Sequence, residues 1–130
     1  MIVAQTQTAG RMTTVLTAGT HTFYADEPLD AGGDDKGPTP HELFDSSLAA
    51  CKSLTAFWYA KRNGIPLEKV DVQIERDDSK EREGSYVLKV KIEFGGNLTD
   101  EQRTKLKNVV ARCPLHKLMT QVKIAIETIP

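Results

Sequence analysis

The chain lacks most of the features that mark the commoner functional classes. Its 130 residues carry no excess charge of either sign, with 17 Lys and Arg against 18 Asp and Glu, for a net charge of −1. Such a balance creates no field to draw nucleic acid or an anionic membrane surface. No stretch approaches the ~18 apolar residues of a membrane span. The segment Met1-Ile2-Val3-Ala4-Gln5-Thr6 lacks the basic start and apolar core of a secretory signal. The expectation is a cytoplasmic protein with neither a nucleic-acid nor a membrane partner. Repeats and low-complexity tracts are also absent.

Cysteine is scarce too: Cys51 and Cys113 are the only two. No Cys-x-x-Cys occurs, and His116 is the only histidine near either cysteine in sequence, which argues against a zinc site. His21 is expected on a solvated strand, His41 on a first helical turn and His116 in a surface turn. The glycine-containing run Ala31-Gly32-Gly33-Asp34-Asp35-Lys36-Gly37 has no phosphate-cradling spacing, and its carboxylates would repel phosphate. Neither a metal nor a nucleotide cofactor is expected. In a reducing compartment a bond between the two cysteines would be transient rather than structural. On pattern alone each is better explained as a small apolar side chain filling a core.

What is present reads as one domain over residues 1–130, of the α+β class and large enough to bury a core, although a second copy would help to cover its apolar surface. Residues 2–8 and 11–17 alternate, and Ala18-Gly19-Thr20 turns the chain into His21-Thr22-Phe23-Tyr24-Ala25, which predicts N-terminal strands in a hairpin. Asp26 to Pro38 has too few apolar groups for a packed element and reads as a loop of functional length. A long helix follows, opened by a Thr39 N-cap with Pro40 at its first position and Glu42 completing a capping box. Phe44, Leu48, Cys51, Leu54 and Trp58 recur at helical spacing as a buried stripe, with Asp45, Lys52 and Lys61 elsewhere around the helix. Asn63-Gly64 followed by Pro66 ends it.

Beyond Pro66, Val70, Val72 and Ile74 alternate with charged or polar residues, and Tyr86 to Phe94 alternate again, predicting an antiparallel hairpin with one wet face. Thr99 and Gln102 form a second capping box for a helix that runs to Arg112, where Cys113-Pro114 interrupts it. A short turn with Leu115, Leu118 and Met119 is expected to lead into a final strand from Val122 to Ile129.

Two separated motifs now carry a resemblance. Gly37-Pro38-Thr39-Pro40-His41-Glu42-Leu43-Phe44 opens the helix that bears Leu48-Ala49-Ala50-Cys51, and Cys113-Pro114-Leu115-His116-Lys117 follows the second helix. With a separation of 62 residues between the cysteines and the order of elements along nearly the whole chain, the sequence resembles the osmotically inducible protein C / organic hydroperoxide resistance (OsmC/Ohr) family. The resemblance implies an intertwined homodimer and a thiol-dependent peroxidase active in oxidative stress defence. Cys51 would attack an organic hydroperoxide and become a sulfenic acid, and Cys113 would condense with it to a disulfide that an external dithiol reductant reopens. No cofactor is needed for that cycle. The resemblance also implies an arginine from the first strands and a carboxylate on the first helical turn as activating groups. The candidates here are Arg11, Arg112, His41 and Glu42. Where the better-characterised peroxidases have glutamate directly after the helix-opening proline, this chain has His41, with Glu42 one position and about 100° further on. That departure places the chain nearer a less characterised branch of the family. Leu54, Phe57, Trp58 and Tyr59 are candidate walls for an organic substrate or simple core packing. The alternative function is a non-catalytic redox sensor or a small-molecule-binding dimer.

Overall fold

A computed structural model describes residues 1–130 and shows an α+β chain in two compact units, Met1–Phe44 and Asp45–Pro130. In the first unit the alternating N-terminal segments form a three-stranded antiparallel meander. Strand β1 (Ile2–Thr6) pairs with β2 (Thr14–Ala18), and β2 pairs with β3 (His21–Ala25). The β2–β3 turn needs a left-handed residue, which Gly19 supplies at φ 62°.

The loop from Asp26 to Pro38 is ordered around one carboxylate. Asp26 is buried and accepts from the Thr13 hydroxyl at 2.6 Å and from the backbone N–H groups of Glu27 at 2.8 Å, Lys36 at 3.2 Å and Asp34 at 3.4 Å. Chiefly through the Thr13 hydroxyl, these donors hold the Asp26 carboxyl below the usual carboxylate range. Gly33 is required by close approach, since a Cβ there would stand 1.9 Å from the Glu27 carbonyl oxygen. A polar loop too poor in apolar groups to pack is thus fixed by hydrogen bonds to a single buried acid.

Helix α1 (Pro40–Arg62) begins where the capping residues place it. The Glu42 N–H donates to Thr39 Oγ1 at 3.2 Å, and the Thr39 N–H donates to the Glu42 carboxylate at 3.0 Å. The helix ends at Gly64, whose φ of 64° suits a left-handed C-terminal cap.

In the second unit β4 (Leu67–Asp77) and β5 (Val87–Gly96) make the expected hairpin. Val70 faces Phe94, Val72 faces Ile92 and Ile74 faces Val90, so one face of the ribbon is apolar. Helix α2 (Asp100–Val110) carries the Thr99/Gln102 capping box, with bonds of 3.1 and 3.0 Å. Ala56 and Ala60 of α1, Ile65, Phe94 of β5, and Leu106 and Val110 of α2 form the core. An Asp45, Arg76 and Tyr86 cluster joins the first part of α1 to this hairpin. Arg76 Nε and the Tyr86 hydroxyl each donate to the Asp45 carboxylate at 2.7 Å. Burial, then the bond to Asp45, pushes the Tyr86 phenol up to about 12.

Three expectations are corrected here. Phe44, Leu54 and Trp58 are exposed at 47%, 68% and 59%, while Leu48, Lys52, Ala56 and Ala60 form the buried row of α1. The alanines Ala56 and Ala60 pack into the core with Ile65, Phe94, Leu106 and Val110. The turn after Pro114 is a full helix, α3 (Pro114–Gln121). Proline at its first position fixes a helical φ, and the Lys117 N–H closes the first turn on the Cys113 carbonyl at 3.2 Å. Residues 122–130 form no helix and no ladder, so the expected final strand has no pairing partner within the chain.

Candidate functional site

The second unit brings Cys51 and Cys113 together. Cys51 lies mid-way along α1 and is half-buried, whereas Cys113 is fully buried at the break between α2 and α3. Proline at position 114 forces the break, and Cys113 becomes the N-cap of α3 with an extended backbone, φ −60° and ψ 156°. The first N–H groups of any helix lack intrahelical partners and carry its positive dipole end. Here the Leu115 N–H donates to Cys51 Sγ at 3.4 Å. The Thr55 hydroxyl, one turn along α1, lies 3.9 Å from the same sulfur.

Cys113 makes no full side-chain cap bond. Burial raises its thiol pKa above the ordinary value. The His116 backbone N–H and the charge of Lys52 act in the opposite direction, and the Cys51 thiol adds to the rise. Cys51 Sγ thus sits on the first turn of α3, the helix that Cys113 caps, with Cys51 the more accessible of the two.

Lys52 is the residue that the sequence reading missed. Expected on an outer face, it is only 3% exposed. Its ammonium donates to the Val110 carbonyl at 2.8 Å and lies 3.5 Å from His116 Nδ1. The Val110 carbonyl closes the last turn of α2, where helical carbonyls are under-satisfied and the dipole favours a cation. His116, expected in a surface turn, is half-buried on α3 beside it. The signal available in the sequence was the four-residue row Leu48, Lys52, Ala56, Ala60, in which the small residues mark the packed face.

The other candidates are placed elsewhere. Arg11 donates through Nε to Asp34 at 3.1 Å, and its NH2 group pairs with the same carboxylate. Glu42 holds the Thr39 N–H, and His41 is exposed beside it. Arg112 is exposed at the end of α2. Leu54, Phe57 and Trp58 lie on the exposed flank of α1, where the Arg62 guanidinium stacks 4.7 Å from the Trp58 ring, and Tyr59 packs against the core. No group of three or more His, Cys, Asp or Glu side chains converges in the chain.

Residues 33–128, which span α1, both cysteines and α3, match the OsmC-like protein family. The chain belongs to that family. The fold of this OsmC-like protein is shared with solved structures of low sequence identity. An OsmC-like protein of Mycoplasma pneumoniae superposes with a TM-score of 0.73 at 20% identity, covering 94% of this chain and 87% of its own. The organic hydroperoxide resistance protein OhrB of Bacillus subtilis gives 0.61 at 22% identity over 93% and 90%. An organic hydroperoxide resistance protein of Legionella pneumophila, also described as a predicted redox protein, gives 0.62 at 21% over 93% and 88%. No curated protein matches the sequence. No helix of the chain is long and apolar enough to cross a membrane.

Proposed function

We propose that this OsmC-like protein reduces organic hydroperoxides with Cys51 as attacking thiol and Cys113 as resolving thiol. The observation that carries the reading is the placement of one of two free thiols, 62 residues apart in sequence, on the first turn of the helix that the other caps, with the Leu115 N–H on Cys51 Sγ. Cys51 as thiolate attacks the terminal peroxide oxygen, so that an S–O bond forms and the O–O bond breaks. The alkoxide leaves and takes up a proton as the alcohol. The helix-terminal N–H and the Thr55 hydroxyl are donors suited to the charged sulfur and to the sulfenate that follows. Cys113 as thiolate then attacks the sulfenic sulfur, the S–S bond replaces the S–O bond, and hydroxide leaves to become water. An external dithiol restores both thiols by exchange.

The exposed apolar flank of Leu54, Phe57 and Trp58 suits an organic rather than a purely inorganic peroxide, and it also suits a homodimer interface. Ile124, Ile126 and Ile129 add to the uncovered apolar surface, on a tail without a ladder partner. Dimerisation and a cytoplasmic location belong to the same proposal. In steady state, peroxide consumption with a dithiol reductant should be lost in Cys51→Ser and strongly reduced in Cys113→Ser. Equal rates in the parent and both variants would remove the reading.

The engagement of Arg11 with Asp34 and of Glu42 with Thr39 favours a second reading, a redox sensor or ligand-binding dimer that oxidises without rapid turnover. Single-turnover oxidation with negligible steady-state consumption would select it.

A further inference from the structure

Lys52 has no carboxylate within ion-pair reach: its ammonium meets a backbone carbonyl and an imidazole. Taking an ammonium out of water is costly unless an anion or several good acceptors replace the lost hydration. The Val110 carbonyl is one such acceptor. The titratable groups beside Lys52 are His116 on α3, 3.5 Å from its ammonium, and Cys113, whose N–H at 3.4 Å shares the Val110 carbonyl with that ammonium, while Cys51 is its chain neighbour on α1. Of these, only a thiol can become the missing anion, and Cys113 is the one wholly withdrawn from solvent. A buried cation without a carboxylate and a buried thiol that must ionise to react thus complete one another.

Resting on the peroxidase reading above, we propose that the Lys52 ammonium favours ionisation of Cys113 against its burial and thereby sets how fast the Cys51–Cys113 disulfide closes and how readily it reopens. Lys52 acts through Cys113 and is a positioning residue. When the sulfenic acid forms on Cys51, the Cys113 thiolate favoured by Lys52 supplies the electron pair for the S–S bond, and the displaced hydroxide takes up a proton to leave as water. Closure leaves Lys52 without its anion. The lysine therefore favours the dithiol over the disulfide, which suits a bond that an external dithiol must reopen in every cycle. A purely structural role, capping the Val110 carbonyl, would leave the ionisation of Cys113 and the redox balance untouched.

The test uses a Cys51→Ser background, in which Cys113 is the only thiol, and follows thiolate ultraviolet absorbance against pH. Lys52→Met and Lys52→Gln should lower the thiolate fraction at neutral pH by about tenfold, the effect of losing one close opposite charge. Lys52→Arg should restore most of it. With both cysteines present, Lys52→Met should accumulate trappable sulfenic acid after a hydroperoxide pulse. Its dithiol–disulfide equilibrium in a glutathione buffer should move about tenfold toward the disulfide, roughly 30 mV. Melting curves identify variants that fold, with Lys52→Gln carrying the test if Lys52→Met does not. A folded Lys52→Met or Lys52→Gln variant whose Cys113 titration and redox equilibrium superpose on the parent's overturns the proposal. A parent that consumes no hydroperoxide removes the peroxidase reading instead, and the titration and redox equilibrium still decide the role of Lys52.

Discussion

Joining Cys51 to Cys113 ties the middle of α1 to the N-cap of α3 and closes a loop of 62 residues. In the unfolded chain that bond removes loop entropy worth about 4 kcal/mol at room temperature. In the folded chain the bond should need little movement, since the Leu115 N–H, two residues beyond Cys113, already holds Cys51 Sγ at 3.4 Å. Most of the entropic gain should therefore appear as stability. At about 4 °C per kcal/mol for a chain of this size, the oxidised protein should melt roughly 15 °C above the reduced one. Both cysteines lie in the second compact unit, so if the two units melt separately only the second transition should move. Calorimetry of the parent, reduced with dithiol or oxidised with one equivalent of organic hydroperoxide, reads the difference, with Cys113→Ser treated alike as control. An oxidised parent that melts at or below the reduced one would mean that the bond strains the fold, and the reasoning from the Leu115 contact would fail.

Leu106→Ala, at a fully buried core position, should cost about 3 kcal/mol in urea unfolding, with the cavity left beside Ala56, Ala60 and Val110. Thr99→Ala removes the acceptor for the Gln102 N–H and should cost about 1 kcal/mol, read the same way. Asp26 has its carboxyl pKa depressed by the Thr13 hydroxyl, so its contribution to stability is present above the unfolded carboxyl pKa of ~3.9 and is lost as pH falls through the lower folded value. Asp26→Asn should therefore lower stability at neutral pH and flatten the acid limb of the stability profile below about pH 4, measured by denaturant midpoints. Gly33→Ala should destabilise the first unit, because its Cβ would collide with the Glu27 carbonyl, and thermal melting would show it.

Local signals were the legible ones. Both capping boxes, the break at Cys113-Pro114 and the Val70 to Phe94 hairpin form as expected, because capping groups, proline and period-two alternation act within a few residues of chain. The inner face of α1 is not marked by its largest apolar side chains. Leu48, Lys52, Ala56 and Ala60 lie inside at four-residue spacing, with Leu54 and Trp58 outside. The four-residue row places Lys52 on the packed face, but no local pattern names its acceptor, a carbonyl 58 residues away. The tail from Val122 to Ile129 has strand-like alternation, but a strand also requires a partner edge, and that condition is not written in the segment itself.

The central claim is that Cys51 and Cys113 work as a pair on a hydroperoxide. The most direct measurement is the intact mass and peptide map of the reduced parent after one equivalent of an organic hydroperoxide. The account predicts loss of two hydrogens, a single Cys51–Cys113 cross-link, stoichiometric alcohol, and a trappable sulfenic acid on Cys51 when Cys113 is replaced by serine. Unchanged mass with both thiols still titratable, or oxidation confined to Cys113, would contradict it.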